Sequence, residues 1–98
     1  MTAPEPARPS TDPTVGAVWV DGRIVTFGEP VLRADDHGFL VGDGVFETLL
    51  VRRGRPLFWD RHMDRLDRAF ETTGMTAVAP DEPRRAVEEG LVAAHLDD

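Results

Sequence analysis

Residues 45–58, "VFETLLVRRGRPLF", leave this chain few architectures. On an extended backbone Val45, Glu47, Leu49 and Val51 share one face, and Phe46, Thr48 and Leu50 share the other. Both faces are largely apolar, which predicts an interior strand covered on two sides, turning near Arg53-Gly54 into a second strand. An interior strand needs neighbours. Upstream, "GAVWVDGRIV" reads as a hairpin, because Asp21-Gly22 can take the two positive φ values of a type I′ turn between Val18, Val20 and Ile24.

Helical periodicity replaces the two-residue period after Asp60, which is expected to cap a helix. Met63, Leu66, Ala69, Phe70 and Thr73 fall at helical spacing and stop at Gly74, a suitable residue beyond a helix C-terminus. A second helix is expected from a cap at Asp81, with Glu82 and Pro83 in its first turn and Ala86, Val87, Leu91 and Ala94 as its apolar stripe. Strands followed by helices predict an α+β fold, a small antiparallel sheet with two helices packed on it. Residues 1–14 hold four of the eight prolines and few apolar groups, so they are expected to be a disordered leader before a single domain over 15–98.

Composition removes several classes of function. A 98-residue chain buries only about 60 to 65% of the surface its unfolded form exposes, which leaves little room for a pocket of its own. Without Cys there is no disulfide framework, thiolate nucleophile or thiolate metal site, and three scattered His do not build a metal site instead. A formal charge of −7 argues against nucleic acid, which needs a basic stripe. No apolar run reaches membrane-spanning length and the N-terminus has no apolar signal core, so a cytoplasmic protein is the default. All eleven basic residues are Arg, so no side chain here can form a Schiff base.

Among the residues that could carry chemistry, Gly42-Asp43-Gly44 is consistent with a tight turn alone. It is not a dinucleotide fingerprint, because a strand rather than a helix follows it. Glu47 lies between Phe46 and Leu49 in the two-faced strand, where its carboxylate must find a partner or be driven toward neutrality; a structural ion pair would serve. Arg65 sits about 100° round its helix from Leu66, on the flank where a guanidinium can reach along a core surface toward a phosphate. Arg61 and Arg68 look alike by composition, and periodicity does not choose among the three.

The segments "VWVDGRIV", "DDHGFLVGDGVFETLLVRRGR" and "HMDRL", in this order and separation, resemble the N-terminal domain of the fold-type IV (class IV) pyridoxal-phosphate aminotransferases. That family includes branched-chain aminotransferases, D-amino-acid aminotransferases and aminodeoxychorismate lyases. The resemblance runs from about Val15 to the end of the chain, with Phe46 and Arg65 at the family's separation of 19 positions. It implies that Arg65 binds the cofactor phosphate. Phe46 would line the substrate pocket, Val41 would sit on a loop reaching the neighbouring subunit of a homodimer, and Glu47 would support the pocket wall. "GDGVFET" is closer to the lyase and D-amino-acid branch than to the branched-chain form "VFEGIR".

The family's Schiff-base lysine, the acidic group facing the pyridine nitrogen and the second phosphate-binding segment lie in a C-terminal domain that these residues do not include. The resemblance therefore implies no catalytic residue within this chain and no metal. For the complete protein it implies proton transfer at the carbon beside the substrate nitrogen, with amino acids or aminodeoxychorismate as substrates. Lyase action would expel pyruvate and leave 4-aminobenzoate. The other expectation is a truncated, non-catalytic dimerisation or regulatory module derived from such an enzyme.

Overall fold

The computed structural model describes residues 16–98, so the expected leader over 1–14 lies outside the described residues. Strands β1 (Val18–Val20) and β2 (Arg23–Val25) pair antiparallel, with Val20 opposite Arg23. Asp21 and Gly22 turn between them at φ 48° and 97°, the two positive values a type I′ turn demands. Helix α1 spans His37–Val41. Strands β3 (Val51–Arg52) and β4 (Arg55–Pro56) form a second antiparallel pair round Arg53 and Gly54, again with both φ positive. Helices α2 (Trp59–Thr73) and α3 (Asp81–Ala93) follow.

The class is α+β as the sequence predicts, with one difference in the sheet. Among the described residues its strands form two separate two-stranded ladders rather than one. Residues 44–50 show why. Their burial alternates residue by residue, Val45, Glu47 and Leu49 turned inward and Phe46, Thr48 and Leu50 outward, which is the side-chain period of a strand. No ladder pairs them among the described residues, and pairing begins only at Val51. Leu50 still accepts a backbone hydrogen bond from Leu57 at 2.8 Å, extending the β3–β4 hairpin by one link. The expected cover on two sides is present on one: Phe46 is 85% exposed and Leu50 64%.

Helix α3 holds the first hairpin. Its predicted stripe of Ala86, Val87, Leu91 and Ala94 turns inward, and Ala94 and Val25 are the two buried apolar residues among the described residues. Trp19 reaches across from β1 to donate its indole N–H to Glu89 at 3.0 Å, while Arg85 stacks over the same ring. Helix α2 begins one residue before the expected cap. Phe58 occupies the capping position in the left-handed region at φ 57° with no side-chain cap, and Asp60 lies inside the first turn, where its charge suits the positive end of the helix. Asp81 is likewise the first helical residue of α3 rather than its cap. Gly74 ends α2 at φ 72° as expected, and Thr73 is exposed, its hydroxyl donating back to the Ala69 carbonyl at 2.7 Å.

Candidate anion-binding site

Two elements build the site. Helix α2 turns Trp59, His62, Met63, Leu66, Ala69 and Phe70 toward the rest of the chain, and Arg65 rides on the exposed flank of that stripe. Residues 44–50 run beside it with Glu47 on their inner side. One helical turn separates His62 from Arg65, so both side chains converge on the same carboxylate.

The geometry is a clamp. Arg65 Nη2 donates to Glu47 Oε1 at 2.7 Å and Arg65 Nε to Oε2 at 2.9 Å, the two-pronged fit of a guanidinium on a carboxylate. His62 Nδ1 lies 2.6 Å from the same Oε1. The Glu47 and His62 side chains are 11% and 15% exposed, whereas that of Arg65 is 59% exposed. The Arg65 and His62 hydrogen bonds, in that order of effect, hold the Glu47 carboxyl well below its usual range, at about 2. An ionised carboxylate only accepts, so the proton in the short contact belongs to His62 Nδ1. The 3.3 Å approach of Arg65 Nη2 to that nitrogen is then a contact between two donors imposed by their shared acceptor.

The clamp consumes two of the five guanidinium N–H groups of Arg65 and, among the described residues, leaves three, two on Nη1 and one on Nη2, on a side chain more than half exposed. An oriented cationic fork with free donors is what a phosphate or carboxylate anion requires. Glu47 is thus both the structural ion pair anticipated from the sequence and the part that aims Arg65.

The structure brings the other expected site residues less close together. Phe46 and Glu47 line an open, mainly apolar cleft of about 660 Å³ with Trp59, Met63 and Leu66. Neither Arg65 nor Val41 lines it. Val41 ends α1, 61% exposed. Helix α1 itself is anchored by Asp36, whose carboxylate accepts the Phe39 amide at 3.0 Å, and it closes at Gly42 in the left-handed region. Gly42-Asp43-Gly44 is therefore the helix exit, in line with the turn reading.

Sequence reasoning named Arg65 and Glu47 but missed His62. The signal was present: His62 and Arg65 are three residues apart, and a helical residue three before a flank arginine shares its side of the helix. Among the described residues no group of three His, Cys, Asp or Glu could hold a metal ion, and no helix is long and apolar enough to cross a membrane.

Comparison with known proteins bears on the same residues. Residues 44–98, which contain Glu47, His62 and Arg65, match the family model described as amino-transferase class IV. The chain is 48% identical over 73 residues, 72% of its own length and 25% of the relative's, to a bifunctional aminodeoxychorismate lyase / D-amino acid transaminase of Mycobacterium tuberculosis. It is 44% identical over 54 residues, 55% of its length and 18% of the relative's, to an aminodeoxychorismate lyase of Bacillus subtilis. A D-alanine aminotransferase of Listeria innocua is 29% identical over 76 residues, 78% of this chain and 26% of the relative. The chain thus spans about a quarter or less of the curated relatives it matches. No solved structure matches it at a significant level.

Proposed function

Since the chain belongs to the class IV aminotransferase family, we propose that it is the N-terminal part of a pyridoxal-phosphate enzyme acting as an aminodeoxychorismate lyase, a D-amino-acid transaminase, or both. The observation that carries the reading is the Glu47–Arg65 clamp, because it leaves a cation oriented, exposed and with three donors unspent.

The donor set suits one part of such a cofactor. Arg65 would hold the phosphate through its free N–H groups, since a planar fork matches phosphate oxygens two at a time. Glu47 offsets much of the Arg65 charge, so this chain alone is a weak anion trap, and donors from elsewhere in the whole protein would share the dianion. Phe46 would form a wall of the substrate pocket with its exposed ring, and Val41, on the exposed end of α1, would approach the partner subunit of a cytoplasmic homodimer. Bound pyridoxal phosphate supplies an electron sink for chemistry at the carbon beside the substrate nitrogen. This chain's share is binding and orientation, because none of its residues is a lysine and its titratable cluster is engaged in the clamp.

The test is product analysis on the whole protein with pyridoxal phosphate added. Incubation with aminodeoxychorismate is expected to give 4-aminobenzoate and pyruvate, or D-alanine with 2-oxoglutarate to give pyruvate and glutamate. A folded protein that binds the cofactor and turns over neither would overturn the assignment.

A further inference from the structure

Arg65 cannot aim itself. Its side chain is long, more than half exposed and on the flank of α2, where several rotamers face water. What fixes it is the Glu47 carboxylate, and that carboxylate sits on residues 44–50, which no ladder holds among the described residues. A carboxylate on such a segment needs a second tether, and the structure supplies one from α2 itself: His62 Nδ1, 2.6 Å from Glu47 Oε1 and 15% exposed.

We propose that His62 is a positioning residue for the anion site. Its Nδ1–H pins Glu47 Oε1 so that both carboxylate oxygens stay in the plane of the Arg65 fork and the free face of the guanidinium points outward.

The arrangement has a specific logic. Oε1 accepts from both His62 and Arg65 Nη2, whereas the Arg65 Nε–H goes chiefly to Oε2 at 2.9 Å and reaches Oε1 at 3.2 Å. With His62 removed, the carboxylate can rotate about its terminal torsion, which is broad and weakly restrained, and one prong of the clamp is lost. Arg65 would keep its charge but lose its direction. Stability is also affected, since the His62 and Glu47 side chains are only 15% and 11% exposed, and the loss particular to the anion site is the direction of the fork, which decides anion geometry.

The inference rests on the phosphate-anchor reading of Arg65, so the experiment separates the two. In the whole protein, affinity is measured for pyridoxal phosphate and for pyridoxal, which lacks the phosphate, and their ratio isolates the phosphate contribution. His62→Leu keeps bulk but removes the donor; His62→Asn returns an N–H near the position of Nδ1; His62→Gln places its N–H farther out, nearer to Nε2. The ratio is expected to fall about tenfold in His62→Leu, the scale of one hydrogen bond to a charged group, and to stay within about threefold of wild type in His62→Asn. Equal ratios in wild type and His62→Leu would overturn the role, as would His62→Asn binding no better than His62→Leu. If His62→Leu fails to fold, His62→Asn is still expected to exceed His62→Gln, and equality of those two would overturn it. Arg65→Ala supplies the reference: if it preserves the ratio, the anchor reading itself falls; if it abolishes the ratio while His62→Leu does not, only the positioning role falls.

Discussion

Glu47 and Arg65, 18 residues apart, join the extended stretch 44–50 to the flank of a helix through two parallel hydrogen bonds of 2.7 and 2.9 Å. The pairing meets two needs at once. A largely buried carboxylate gains the partner its surroundings demand, and a surface arginine gains a fixed direction.

If that direction serves a phosphate, Arg65→Lys weakens pyridoxal-phosphate binding by the whole protein about ten- to a hundredfold, because an ammonium cannot reproduce the fork. Arg61→Lys and Arg68→Lys, both exposed, stay within about twofold of wild type. Fluorescence titration on all three, with melts in the absence of cofactor to establish folding, makes the comparison. Equal affinities would make Arg65 an ordinary surface residue.

Acid is expected to release the clamp. The Glu47 carboxyl is held at about 2 against an ordinary value of 4.5, so its contribution is complete above the ordinary value and is lost as pH falls toward 2. Thermal melts between pH 6 and about 2 should show Glu47→Gln with a shallower acid decline than wild type. A carboxyl-carbon NMR titration that places Glu47 near 4.5 would refute the expectation.

Trp19 and Glu89 tie the first hairpin to α3, so Trp19→Phe is expected to lower stability by about 1 to 3 kcal/mol through loss of the indole N–H and a carboxylate left without that donor. Glu89→Gln keeps an acceptor and should cost less. Urea denaturation of both variants discriminates; identical midpoints would mean the hydrogen bond contributes nothing.

Gly54 has a sharper constraint than the other turn glycines. A Cβ there would meet the Asp97 backbone carbonyl carbon at 2.7 Å, and the φ of 74° is unfavourable for any side chain. Gly54→Ala is expected to cost on the order of 1 to 3 kcal/mol and to displace residues 96–98 from the β3–β4 turn. At Gly22, with φ 97° and nothing within 4 Å of a Cβ, alanine meets backbone strain alone and should lower the melting temperature less.

Much of this arrangement was legible in the sequence, and the exceptions share a cause. Asp21-Gly22, Arg53-Gly54 and Gly74 specify their own backbone angles, so both hairpins and the end of α2 could be read locally. The inward stripe of α3 follows from periodicity alone. Residues 44–50 kept the predicted alternation but not the predicted ladder, because alternation is a property of the segment while pairing needs a neighbour. Helix α1 went unread, since a five-residue helix with no buried side chain has no apolar period to detect. Within the site, Glu47 and Arg65 could be named singly, but their union with His62 depends on how residues 44–50 lie against α2, a relation no local pattern encodes.

The clamp also has a place in time. Closing a chain loop becomes less probable as roughly the three-halves power of its length, so the 18-residue span from Glu47 to Arg65 closes about eight times more readily than the 70-residue span from Trp19 to Glu89. The shorter loop already contains the β3–β4 hairpin and the first turns of α2. A nascent chain can therefore close the Glu47–Arg65 clamp as a local event, before the N-terminal hairpin finds α3, and later assembly meets an arginine whose direction is already set.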